Sequence, residues 1–237
     1  MALEKLQVLD PTAYPTYYLF VWAVAFIIGA GVCFINPWFR RIEILSTLAH
    51  EVGHGLGGLF AGRKFDSLTL HPDASGVTYT TGRGRLGLII CFWSGYTAPA
   101  TVALLLAAVV AAGVPNWAFM ITAGIMLLCL IRARSILTLV LILGTAVACA
   151  GIWWLEDPLL QTTIPILLAG FFLVAGFRQI GDAWRQRNHD GGEADADALE
   201  GLTKIPEIIW LSLFHVYTAV CTVLVLGLVG MTAVTIL

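Results

Sequence analysis

Long apolar runs, separated by short polar segments, organise this chain. Crossing the hydrocarbon core of a bilayer takes about 20 mostly apolar residues in a helix. Each residue rises 1.5 Å, and every backbone N–H and C=O must bond within the segment. On that ruler seven stretches predict transmembrane helices, roughly 17–35, 42–62, 86–112, 116–131, 134–154, 160–178 and 207–235. The third and fourth are divided only by Gly113-Val114-Pro115-Asn116, a turn signal. The expected fold is an all-α polytopic membrane protein, a single integral membrane domain over 1–237.

Two polar segments are long enough to fold. In 63–85, Phe65-Asp66-Ser67-Leu68-Thr69-Leu70 and Val77-Thr78-Tyr79-Thr80-Thr81 flank His71-Pro72-Asp73-Ala74-Ser75-Gly76. Two β-prone strings around a Pro/Asp/Ser/Gly turn predict a hairpin. In 179–206, a polar stretch from Asn188 to Glu193 predicts a flexible loop. The acidic string Ala194-Asp195-Ala196-Asp197-Ala198-Leu199-Glu200 after it predicts a short helix ending near Pro206. With the N-terminus inside, the inner segments hold every lysine and arginine except Arg40 and Arg41. That bias predicts N-in, C-out, with both folded loops cytosolic.

Composition sharpens the picture. Residues are 59% hydrophobic and only 12% charged, with a mean hydropathy of +0.87. Soluble domains carry about 25% charged residues, so lipid is the first partner to expect; nucleic acid is not expected. Cys33, Cys91, Cys129, Cys149 and Cys221 all lie in apolar runs without close CxxC spacing, and they read as small buried hydrophobes. Glu4, Lys5 and Asp10 precede the first run and no A-x-A site follows it, so no secretory signal is expected.

The chemistry concentrates in the second run, at Leu48-Ala49-His50-Glu51-Val52-Gly53-His54-Gly55. On a helix His50 and His54 stack on one face, where both imidazoles can bind one Zn²⁺. Glu51 beside the metal can take a proton from its water and pass it to a leaving amine. Ionisable residues inside a span are expensive and mark function. Gly53, Gly55, Gly57, Gly58 and Gly62 strip side chains from the same helix and permit close approach of backbone or substrate. A catalytic zinc site needs a third protein ligand. The residues alone leave it open among His71, His189, His215, Asp195, Asp197 and Glu200.

These blocks resemble the site-2 protease family, specifically its small bacterial site-2-protease-like branch. The likeness runs from Thr47 to Gly55 and on through Gly62-Arg63-Lys64. It continues over His71 to Val77 and Gly95-Tyr96-Thr97-Ala98-Pro99, then over Ala194-Asp195-Ala196, Leu202-Thr203, Pro206 and Trp210. The resemblance implies a zinc endopeptidase acting on membrane-embedded or juxtamembrane peptide bonds, in a bacterial inner membrane. It implies Glu51 as general base and His50, His54 and Asp195 as metal ligands, with Asp197 and Glu200 as alternative third ligands. Two departures stand out. Better-known members carry Leu-Asp-Gly for the third ligand, where this chain has Leu199-Glu200-Gly201, and an asparagine in the central span, which the stretch 95–99 lacks.

A non-catalytic membrane scaffold that keeps the metal site for structure is the competing class. A transporter would show a symmetric second charged cluster, and the sequence has one cluster only. Arg132 and Arg134 read as topology anchors, His215 as an interhelical hydrogen-bonding residue, and the tryptophans as an interfacial belt.

Overall fold

The computed structural model describes residues 15–187 and 195–236. Its elements are α1 (Pro15–Val32), α2 (Asn36–Phe60), β1 (Lys64–Leu70), β2 (Gly76–Thr81), α3 (Arg85–Ala111), α4 (Asn116–Leu130), α5 (Ile136–Leu155), α6 (Pro158–Gln186), α7 (Asp195–Thr203) and α8 (Glu207–Ile236). Each of the seven apolar runs forms a helix, the loop 63–85 forms an antiparallel hairpin, and α7 is the acidic helix. The stretch 188–194, with His189, lies outside the described residues. Among the described residues four helices are long and apolar enough to cross a membrane, namely α3, α5, α6 and α8. The pair α1–α2 passes only as one broken unit, bent by 100°, and α4 is shorter.

Pro37 explains the break. It has no N–H to give the carbonyl four residues earlier, which belongs to Cys33. That carbonyl accepts from the Arg178 guanidinium instead, and Arg178 also donates to Asn36 Oδ1 at 3.3 Å. The guanidinium lies 4.0 Å over the Phe39 ring. α2 therefore sets off at a steep angle, held against the last third of α6. It stops at Gly62, whose φ of +76° suits a residue without Cβ, as Arg63 N–H bonds back to Gly58 O at 2.8 Å.

The packing sets the direction of each helix in the bundle. Tyr18 and Trp22, near the start of α1, cluster with Val110, Leu159, Ile166 and Val229. Cys33, after the end of α1, packs with Phe171 and Ala175. So α1 runs alongside α6 in the same direction, and it begins at the bundle end where α3 and α8 finish. Both ends of α2 stay at the opposite end, Phe39 by Arg178 and Ala61 O against Gly87. Both ends of α2 thus lie at one end of the helix bundle, and the described start of α1 lies at the other, with the ends of α3 and α8. Every lysine and arginine among the described residues falls at the end that carries α2, the hairpin and α7.

Phe65, Leu68 and Leu70 bury one face of the hairpin against Leu48 and Val52 of α2 and Met126, Cys129, Ile142 and Ala146 of α4–α5. Residues 132–134 extend the sheet. Leu68 N donates to Arg132 O (2.9 Å) and accepts, through its carbonyl, from Arg134 N (3.0 Å). These two arginines thus contribute backbone to the hairpin's support as well as charge. Their turn reads as a plain polar connector because main-chain pairing leaves no trace in side-chain type.

Candidate metal centre

α2 presents His50 and His54 one turn apart, and α7 delivers Asp195 opposite them. His50 Nε2 and His54 Nε2 lie 3.0 Å apart. Asp195 Oδ2 is 3.1 Å from the first and 3.0 Å from the second. His54 Nδ1 is 2.8 Å from the Cys91 carbonyl, which can only accept. Nδ1 therefore carries the proton, and the Nε2 lone pair faces the other two donors.

Two imidazole nitrogens and a carboxylate oxygen converging on one point make a donor set for a cation. Asp195 Oδ2 is buried and makes no well-directed hydrogen bond. Bonds of about 2.0–2.1 Å in a tetrahedral zinc site set ligand atoms roughly 3.3 Å apart, a few tenths of an ångström wider than the separations here. These residues fit such an ion, and they are the one such group of three or more among the described residues. Burial works against the charged form of Asp195, but His54 and His50, when protonated, outweigh it and hold the carboxyl well below its ordinary range, a pull that a bound cation would supply in their place.

Of the alternative third ligands, neither reaches the pair. On α7, Ala196 and Leu199 are fully buried under Ile180, Ala183, Trp210, Leu211 and Phe214, which fixes the helix's rotation. That rotation aims Asp195 at the histidines and leaves Asp197 and Glu200 exposed. Glu200 Oε2 instead accepts from the Glu207 N–H at the start of α8 (2.8 Å). Thr203 Oγ1 accepts from Trp210 Nε1 (3.2 Å) and donates to Leu199 O (2.6 Å), so Leu-Thr and Trp clip α7 to α8 behind Asp195. His71 is exposed in the hairpin turn. His215 bonds Leu211 O on its own helix (2.9 Å), not a neighbouring one, and lines a separate groove.

Glu51 is buried and its Oε2 has no hydrogen-bond partner. The hairpin tip is fastened on both sides of it. Thr47 Oγ1 donates to Ala74 O at 2.8 Å, and Thr78 Oγ1 donates to the Glu51 carbonyl at 3.0 Å. A Cβ at Gly76 would lie 2.6 Å from Glu51 Cγ, so the tip lies directly against this side chain. His50, Glu51, Ser75, Tyr96, Gln179 and Asp182 are among the residues lining a cavity of about 490 Å³ beside the three donors. That volume suits a bound peptide segment.

Sequence reasoning missed Gly95 and Tyr96 as neighbours of the donors, since α3 meets α2 only in the folded chain. Their place in the 95–99 block was the one signal. A Cβ at Gly95 would lie 2.9 Å from His50 Nε2 and closer still to His54. Gly95→Ala is expected to displace both imidazoles and weaken metal binding by about tenfold or more, the scale seen when a ligand's support is altered. Competition of the purified variant against a zinc-chelating dye measures this, and parent-like affinity would refute the close packing.

A family model described as Peptidase M50B-like matches residues 19–225, most of the chain. No curated protein and no solved structure gives a significant match.

Proposed function

The chain belongs to the Peptidase M50B-like group of the site-2 protease family, and from that premise we propose that it is a zinc-dependent intramembrane endopeptidase. The observation that carries the reading is the convergence of His50, His54 and Asp195 beside a buried, unpartnered Glu51 at the edge of a cavity. His50, His54 and Asp195 would hold the ion. Zinc, when bound, lowers the pKa of its water to about 7 and polarises a carbonyl.

The chain's own groups do the rest. Cys91 O keeps His54 in the tautomer that offers Nε2. Glu51 takes a proton from the attacking water and returns it to the amine of the broken peptide bond. Its burial keeps competing water away, and Gly76 holds it in place. The substrate is a membrane-embedded or juxtamembrane peptide lying in the cavity. Zinc content and peptide cleavage, measured on the purified parent chain and on Glu51→Gln, test this reading. Cleavage by metal-free protein, or equal cleavage by the variant, would overturn it.

For the membrane, the arrangement that fits is one integral unit in which α1, α3, α4, α5, α6 and α8 cross and α2 enters without crossing. The arginine and lysine bias supports a cytosolic metal end, in a bacterial inner membrane, and with it a start of α1 on the far side. An N-terminal epitope tag should then be digested by protease added outside intact cells, while a cysteine at Ser75 resists impermeant maleimide. A protected tag would return the count to an N-in arrangement.

A further inference from the structure

We propose that Tyr96 is a further catalytic residue, its hydroxyl donating a hydrogen bond to the oxygen of the scissile carbonyl as that oxygen becomes charged. The proposal rests on the peptidase reading above. Tyr96 stands on α3 one residue after Gly95, the residue packed against the two imidazoles. Its ring meets the His50 ring edge-on, with centroids 4.8 Å apart, and is backed by Phe214 at 5.1 Å. Phe214 is fully buried, so the ring is held between a rigid core residue and a donor of the candidate metal centre.

Tyr96 lines the same cavity as His50 and Glu51. Tyr96 is half-buried, and its hydroxyl makes no hydrogen bond to any described residue. Tyrosine buried to this degree usually has a partner for its O–H. A hydroxyl left free at the wall of a cavity, beside three converging donors and a buried carboxylate, is available to something that enters. Glu51 and Asp195 can only accept when ionised, and of the other hydroxyls lining the cavity Thr47 is engaged by Ala74 O and Ser75 by Asp73 Oδ1. The developing oxyanion needs such a donor.

The step balances without further reagents. The water oxygen bonds to the carbonyl carbon as Glu51 takes its proton. The C–N bond then breaks, and the proton passes from Glu51 to the leaving nitrogen. Tyr96 keeps its own proton throughout and stabilises the oxygen by hydrogen bonding alone.

Tyr96→Phe keeps the ring against His50 and Phe214 and removes only the hydroxyl. On a library of internally quenched peptides in detergent, kcat should fall roughly 10²-fold, the scale of one lost oxyanion donor. KM should stay within about twofold and the metal content should equal the parent's. Affinity for a peptidyl phosphonamidate, whose tetrahedral oxygens mimic the charged state, should fall in step with kcat/KM. A kcat near the parent's, or a loss explained by lost metal, would overturn the assignment. Absence of any Glu51-dependent cleavage by the parent would overturn the peptidase reading, and this assignment with it.

Discussion

Glu51→Gln is expected to lower kcat by about 10³-fold, within the range a general base contributes, while leaving the bound metal in place. Glutamine matches glutamate in volume, so the contact with Gly76 and the hairpin tip survives. What is lost is the capacity to accept a proton. The geometry makes the loss hard to replace, because Oε2 is buried without a partner. Of the other carboxylates lining the cavity, Asp182 is bridged to Arg185 at 2.8 Å. Kinetics and metal analysis on the same preparation measure the outcome. A variant that retains metal and cleaves at the parent's rate would leave the non-catalytic scaffold as the better reading.

Removing Asp195 should have the next largest effect, on metal instead of on rate. Asp195→Ala takes away one of three donors, and affinity should fall by more than the 10–100-fold that follows loss of a residue merely supporting a ligand. His54→Ala should act alike. Asp197→Ala and Glu200→Ala should retain parent metal content, since both side chains point to solvent and Glu200 serves the start of α8. Metal analysis across the four variants therefore separates the third ligand from its two neighbours. Metal retained in Asp195→Ala but lost in Asp197→Ala would require α7 to rotate from its buried Ala196–Leu199 face.

Much of this molecule is legible in its sequence. Apolar runs must become helices wherever water is excluded, because no other local structure satisfies the backbone. Every run does so here. The hairpin followed from β-branched strings around a Pro/Asp/Ser/Gly turn, and the His-x-x-x-His spacing placed two imidazoles on one face by helical period alone. Such features depend on neighbours within a few residues.

What the tertiary structure decided is direction and partnership. Hydropathy counts apolar residues without regard to where a helix points, so it does not show that both ends of α2 lie at one end of the bundle. Pro37 freed the Cys33 carbonyl, Arg178 from far along the chain captured it, and α2 turns by 100° from α1. The acidic string offered three carboxylates with equal chemistry. Burial of Ala196 and Leu199 against α6 and α8 chose Asp195 to face the histidines. Gly95 and Tyr96 gained their place because α3 packs against α2, a contact that sequence distance hides. Local period and solvent set what each segment becomes, while long-range packing sets which atoms of different segments meet.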